Sequence, residues 1–180
     1  MGSTTDQRQR FEEIVGEVFD PLQRFLRRRL QPADADDVLS DVLLVLWRRL
    51  DDAPDGQILP WSYGIARRSV ANKLRSEQRQ TGLVRRLEAE PQMRVEPDVS
   101  DAGPDPELTA ALNRLGNDDR EILRLWAWEQ LEPREIAPVL DMSVNAATLR
   151  LSRARKKLAK NLSRQDRGSA GHESLKGTRE

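Results

Sequence analysis

This chain of 180 residues has no cysteine, a single histidine, only eight aromatic residues (four Trp, three Phe, one Tyr) and no net charge. The absence of cysteine removes disulfides, thiolate metal sites and sulfur nucleophiles together. His172, the lone imidazole, lies in a polar C-terminal stretch, so zinc binding and histidine-based catalysis lack their usual side chains. No metal, cofactor or catalytic residue is expected. No segment approaches the roughly eighteen uninterrupted apolar residues that span a bilayer, and Met1 to Arg10 lacks the apolar stretch of a secretory signal. A cytoplasmic location without direct membrane insertion is therefore expected. Hydrophobic residues make up 37% of the chain, an ordinary soluble balance that allows only small cores, in one domain or two.

The zero net charge conceals a strong pattern. Residues 61 to 86 carry seven Lys and Arg against one Glu, and residues 144 to 167 carry eight against one Asp. Between them, residues 87 to 107 hold seven acids against one Arg. Two basic helical blocks separated by an acidic strap predict two separate contacts with nucleic acid.

From Phe11 to Leu30 the residues Ile14, Val15, Val18, Phe19, Leu22, Phe25, Leu26 and Leu30 recur three and four apart, the period of a buried helical stripe. Pro21 deletes one backbone donor inside this helix and is expected to kink it or divide it in two. Pro32 breaks the chain, and Asp34, Asp36 and Asp37 suit the capped start of a second helix running to about Leu50. Its apolar residues, Val38, Leu39, Val42, Leu43, Val45, Leu46, Trp47 and Leu50, cover more than one face, so one face is expected to meet another protein. Residues 51 to 60 (DDAPDGQILP) have the composition of a loop, after which Trp61 opens a third helix through Tyr63, Ile65, Ala66, Val70 and Leu74. Its polar side carries Arg67, Arg68, Asn72, Arg75 and Arg79, the footprint of a helix lying along a phosphate backbone.

Residues 88 to 107 (EAEPQMRVEPDVSDAGPDPE) contain four prolines and no sustained period, which marks a flexible connection. Beyond it, Leu108, Leu112 and Leu115 form a stripe, and Asp118 or Asp119 is expected to cap a helix bearing Ile122, Leu125 and Trp126. Trp126 and Trp128 point in different directions, so at most one belongs to the core and the other is free to anchor a partner. Residues 132 to 158 (EPREIAPVLDMSVNAATLRLSRARKKL) read as helix-turn-helix, with Ile136, Ala137 and Leu140 in the first helix and a turn at Asp141 to Ser143. In the second, Val144, Ala147, Leu151, Ala154 and Leu158 form the buried stripe, leaving Asn145, Ala146, Thr148, Leu149, Arg150 and Arg153 for a major groove. Ser143 caps this helix, Arg155, Lys156, Lys157 and Lys160 suit phosphates, and Arg150 and Arg153 suit guanine edges.

Taken in order, DADDVLSDVLLVLWRRL (34 to 50), PWSYGIARRSVANKLR (60 to 75) and REILRLWAWEQLEPREIAPVLDMSVNAATLRLSRARKKL (120 to 158) resemble the extracytoplasmic-function subfamily of bacterial sigma-70 factors. The resemblance implies an all-α fold of two small helical domains joined by a flexible acidic linker. Its boundaries would be a disordered stretch 1–10, region 2 at 11–86, the linker at 87–106, region 4 at 107–164 and a disordered tail 165–180. It implies a subunit that binds core RNA polymerase and recognises the minus-10 and minus-35 promoter elements, with no chemistry of its own. Asp37, Ser40, Asp41 and Leu44 would dock on the β′ clamp helices. Residues 51 to 59, with Asp55, Gln57 and Ile58, would meet a base flipped from the minus-10 strand, and Trp61, Arg67, Arg68, Asn72 and Arg75 would complete that contact. Ser143, Asn145, Ala146, Thr148, Leu149, Arg150, Arg153, Arg155 and Lys156 would meet the minus-35 duplex, while the preceding helices contact the β flap. An anti-sigma factor is implied as a further partner.

This chain departs from the family pattern at several positions. Asp141 stands where a turn glycine is usual, and Pro138 removes a bond to the Arg134 carbonyl and should shorten the first helix of the motif. Ser40 and Asp41 replace a Gln-Glu pair, and Arg68 stands where Asn is common. Ala146, Ala147, Thr148 and Leu149 replace the usual Thr-Val-Lys-Ser run, so an unusual promoter sequence is expected. The rival within nucleic-acid binding is a free-standing helix-turn-helix regulator, which leaves the basic first half unexplained. Asp37 and Asp41 lie one turn apart, but no His, Cys or glycine-rich phosphate loop accompanies them to support an enzyme.

Overall fold

A computed structural model describes residues 2–84 and 105–173, with side chains described over 5–79 and 105–163. The chain divides into two compact units, residues 1–99 and 100–180. The described residues form seven α-helices and one 3-10 turn, without strands. None of these helices is long and apolar enough to cross a membrane. The expected linker lies outside the described residues except for Asp105 and Pro106.

The first unit begins with α1, Gly2–Arg27. It starts well before Phe11, so the stretch expected to be unstructured through residue 10 is helical from Gly2. Pairs one turn apart, Arg8 with Glu12 and Gln9 with Glu13, each at 3.1 Å, support this extension, and Phe11 sets its ring edge-on to Trp47 at 5.1 Å. The helix also runs on through Pro21 instead of dividing there. Val18, Leu22, Phe25 and Leu26 on either side of it are fully buried. Burying four such side chains contributes about 1.5–3 kcal/mol each, which outweighs the roughly 3 kcal/mol cost of an internal proline. Phe19, expected within the stripe, stands partly in solvent.

Helix α2, Pro32–Arg48, starts without a carboxylate cap: Gln31 is the N-cap, Pro32 occupies the first turn and Asp34 follows it there. Proline's fixed φ suits that position, and Asp34 still complements the helix dipole. Ala35, Val38, Leu39, Val42 and Leu46 are buried. A 3-10 turn, Leu50–Asp52, then leads to Gly56 at φ 70°, a left-handed turn that glycine adopts without strain. Helix α3, Ile58–Val84, begins three residues earlier than Trp61, because the Gln57 carbonyl accepts the Trp61 amide and closes the first turn. Ser62, fully buried, donates to the Ile58 carbonyl at 2.8 Å. Tyr63 packs on Phe25 with ring centroids 5.0 Å apart. Helices α1, α2 and α3 pack pairwise around this core.

Lys73 ties α3 to α2 through Asp34 and lies 3.7 Å from Glu77. The hydrogen bond to Asp34 raises the Lys73 pKa above 10.5; desolvation opposes the rise, and the charges of Asp34, Glu77 and Asp37 add to it. A raised lysine value means that the pair stabilises the fold fully below the unfolded-state value and ceases to do so as pH climbs through the folded one. Lys73→Met should therefore lower the urea midpoint at neutral pH, and the difference from wild type should shrink as pH rises beyond 10.5.

The second unit wraps three short helices around a long one. Helix α4, Pro106–Asn113, is capped by Asp105, whose carboxylate accepts the Glu107 amide at 2.9 Å. Its inward residue is Ala111, whereas Leu108 is 40% exposed, so the expected leucine stripe is realised only at Leu115 and, half-buried, Leu112. Helix α5, Asn117–Ala127, takes Gly116 as its N-cap; Asp118 and Asp119 lie one step inside, in the first turn, and do not cap it. Those two carboxylates reach instead to α7, Val144–Glu173, where Asp118 meets Arg150 at 3.5 Å and Asp119 meets Lys157. Trp126 and Trp128 are both outside the fully buried core: Arg155 lies over Trp126 at 4.6 Å and Arg124 over Trp128 at 5.3 Å.

Helix α6, Pro133–Val139, opens with a capping box between Glu132 and Glu135 and buries Ile136, Ala137 and Val139. Pro138 sits exposed near its end, and the helix stops one residue later. Asp141 takes φ 57°, the left-handed conformation that a turn glycine would adopt at less cost, while the Met142 amide donates to the Ala137 carbonyl at 3.0 Å and closes the turn. In α7, Ala147, Leu151 and Ala154 are buried and Leu158 is half-buried. Val144, expected in the same stripe, is 48% exposed because it stands at the first helical position, ahead of the buried turns. Helix α7 also continues past Arg164 to Glu173, through part of the tail expected to be unstructured. Residues 174–180 lie outside the described residues.

Arg120 clasps the end of α4, donating to the carbonyls of Leu112, Asn113 and Leu115, each at 3.1 Å. Hydrogen bonds from a charged donor contribute about 1.5–3 kcal/mol each where they are well formed. Arg120→Gln should cost roughly 2 kcal/mol of stability, seen as a lower denaturation midpoint by circular dichroism.

Candidate nucleic-acid and partner interfaces

Burying one side of α2 leaves Asp37, Ser40, Asp41 and Leu44 exposed on the other, three and four residues apart and therefore on one stripe. Leu44 is 53% exposed, more than any other large apolar side chain among the described residues of the first unit. The Ser40 hydroxyl donates back to the Asp36 carbonyl at 3.1 Å. Trp47, one turn beyond Leu44, is also exposed and extends the apolar part of this surface. Trp47 is not among the residues that the family resemblance names for docking, but it belongs to the apolar excess beyond one helical face from which a protein contact is expected.

The turn into α3 exposes Asp55 and Gln57, and Asp55 lies 4.0 Å from Arg10. Ile58 and Trp61 are half-buried at the start of the helix, with Arg49 lying over the Trp61 ring at 5.7 Å. Beyond Val70 no described residue of α3 is buried, so this part of the helix serves no core. Arg68, Asn72 and Arg75 are exposed, and Asn72, Arg75, Gln78 and Arg79 line a shallow open concavity. The guanidiniums of Arg75 and Arg79 donate to the carbonyls of Ala71 and Arg75, which lays them along the helix. Arg67, expected on this stripe, is half-buried and about 100° around the helix from Arg68. It borders the basic face and is not at its centre.

In the second unit the Ser143 hydroxyl accepts the Ala146 amide at 3.2 Å and caps α7 as expected. Asn145, Ala146, Thr148, Leu149, Arg153, Arg155 and Lys156 are exposed. Arg150 is half-buried against Asp118, and the Thr148 hydroxyl donates to the Val144 carbonyl at 2.9 Å. A second open groove runs beside α7 between Pro133 and Thr148, Ser152 and Arg155. The residues read from sequence thus fall on three separate surfaces, one on α2, one from the turn before α3 along that helix, and one on the first turns of α7.

Two helical units, one carrying a helix-turn-helix and the other a basic helix beside an exposed, partly apolar stripe, have the architecture of a DNA-binding protein. Residues 8–80 match the family model described as Sigma-70 region 2, and residues 106–158 match Sigma-70, region 4. The chain is 30% identical over 136 residues to the RNA polymerase sigma factor NccH of Alcaligenes xylosoxydans xylosoxydans, spanning 70% of this chain and 72% of that one. Among solved structures it is similar to the sigma factor RpoE of Bartonella quintana, solved with the anti-sigma factor NepR, with TM-score 0.63, 22% identity and coverage of 85% and 96%. It is similar also to CnrH, solved with the cytosolic domain of CnrY, with TM-score 0.57, 24% identity and coverage of 85% and 87%. These two likenesses concern the fold. The chain belongs to the sigma-70 family, in its extracytoplasmic-function branch. It is an alternative sigma factor, which binds core RNA polymerase and directs promoter-specific initiation.

Proposed function

We propose that the three surfaces divide the work of initiation. The α2 stripe of Asp37, Ser40, Asp41 and Leu44 docks on the β′ clamp helices. Asp55, Gln57, Ile58 and Trp61 hold a base extruded from the minus-10 element, with Arg67, Arg68, Asn72 and Arg75 along the adjoining strand. Unstacking a base costs a few kcal/mol, which binding offsets, so opening is a binding event and this chain catalyses no reaction itself. The first turns of α7 enter the major groove of the minus-35 element: Ser143, Asn145, Ala146, Thr148 and Leu149 lead, Arg150 and Arg153 flank them, and Arg155 and Lys156 follow the phosphates. The protein works in the cytoplasm, with the β flap contacting the second unit and an anti-sigma protein as a further partner.

One observation carries this reading: most of these residues are exposed and belong to neither core, yet they lie on continuous stripes within the segments that match the two family regions. Arg153 is exposed, whereas Arg150 must leave Asp118 to reach a base, so Arg153 is the better placed of the two. The partner surface is supported by Leu44 and Trp47, which expose apolar area that the folded chain does not use.

Run-off transcription with purified core polymerase on a promoter library should yield discrete start sites; failure to direct any would refute the proposal. Leu44→Asp should weaken association with core polymerase at least tenfold while leaving the helical spectrum unchanged, since Leu44 lies outside the buried core. Arg153→Ala should relax discrimination at one upstream base pair, at a cost of about 1–3 kcal/mol. Lys156→Ala should weaken all sequences alike and reduce the salt dependence by about one ion. Equal loss of discrimination from both would disprove this division of roles.

A further inference from the structure

We infer that Leu149 is a specificity-determining residue that reads the C5-methyl group of a thymine in the upstream promoter element. The inference rests on the proposed entry of α7 into that element and names what its centre recognises. Leu149 is 56% exposed, the most exposed large apolar side chain among the described residues. It lies two positions from both Ala147 and Leu151, about 200° around the helix from each and so opposite the buried stripe. One turn before it stands Asn145 and one turn after it Arg153, so it occupies the middle of the outward face.

Several polar groups around it are already engaged inside the protein. The Thr148 hydroxyl donates to the Val144 carbonyl, the Ser143 hydroxyl holds the Ala146 amide, and Arg150 lies against Asp118. Ala146, beside Leu149 on the exposed face, adds no hydrogen-bonding side chain. The outward face therefore carries an apolar patch of Ala146 and Leu149 between exposed Asn145 and Ser152, with Arg153 and Lys156 as its basic rim and Arg155 beyond, over the Trp126 ring. In a major groove the one apolar feature of a base edge is the thymine methyl, which Leu149 can contact and the other three bases cannot offer. The basic rim favours a phosphate-lined groove over an apolar protein partner, whose hydrophobic patch would have to strip water from those charges.

The test uses the full chain with core polymerase on a promoter selected by the wild type, in which each upstream thymidine is replaced singly by deoxyuridine on either strand. Loss of one methyl contact should lower promoter occupancy and run-off yield about fourfold at a single position, corresponding to roughly 0.8 kcal/mol. Leu149→Gln, which keeps a good helix former, should lower yield on the thymidine template and show no further loss with deoxyuridine, while Leu149→Met should restore the sensitivity. Indifference of the wild type to every deoxyuridine, with sensitivity to scrambling the upstream element, would overturn the role of Leu149 alone. Indifference to scrambling would overturn the underlying reading as well. Weaker association of Leu149→Gln with core polymerase in the absence of DNA would show a protein contact and would also overturn the inference.

Discussion

Helices α2 and α7 each hide one stripe of side chains from water, and that constraint decides where their charges go. In α7, burying Ala147, Leu151 and Ala154 fixes the rotation of the helix, and the opposite side must then carry Asn145, Leu149 and Arg153 outward. In α2, burying Val38, Val42 and Leu46 turns Asp37, Asp41 and Leu44 to solvent by the same geometry. With no cysteine the cores have no disulfide to supplement them, so the orientation of each functional surface is as secure as the packing behind it.

Carboxylates do more in this structure than complement helix dipoles. Asp34 holds Lys73 between α2 and α3, Asp119 holds Lys157, and Asp118 holds Arg150. Solvent-exposed pairs of this kind contribute little to stability, with a median of about 0–1 kcal/mol. Their greater effect is positional: they fix which basic side chains are engaged within the protein and which project away from it. The Asp118 pair has the clearest consequence, since it engages Arg150 within the second unit while Leu149, its neighbour in sequence, stays exposed on the outward face.

Much of this was legible in the chain. The helical periods, the helix-turn-helix, the left-handed Asp141 and the Ser143 cap follow from local rules, because a helix repeat and a turn conformation depend on neighbouring residues. Local rules failed where longer contacts compete. Pro21 does not divide α1, since the buried residues around it outweigh one lost hydrogen bond. Asp118 and Asp119 resemble caps in sequence, but residues on α7 claim them. Leu108 and Val144 fit apolar stripes that the neighbouring helices do not extend far enough to cover.

The sequence by itself determined that the chain is helical, that it has two basic surfaces separated by an acidic stretch, and which residue types stand on them, because periodicity and charge are properties of order along the chain. Tertiary structure decided which of those residues are available. Burial, ion pairing and capping each use up a side chain through a neighbour distant in sequence. Thus Arg67 borders its basic face, Arg150 is held by Asp118, and Leu149 stands exposed between Asn145 and Arg153 on the helix surface that faces outward.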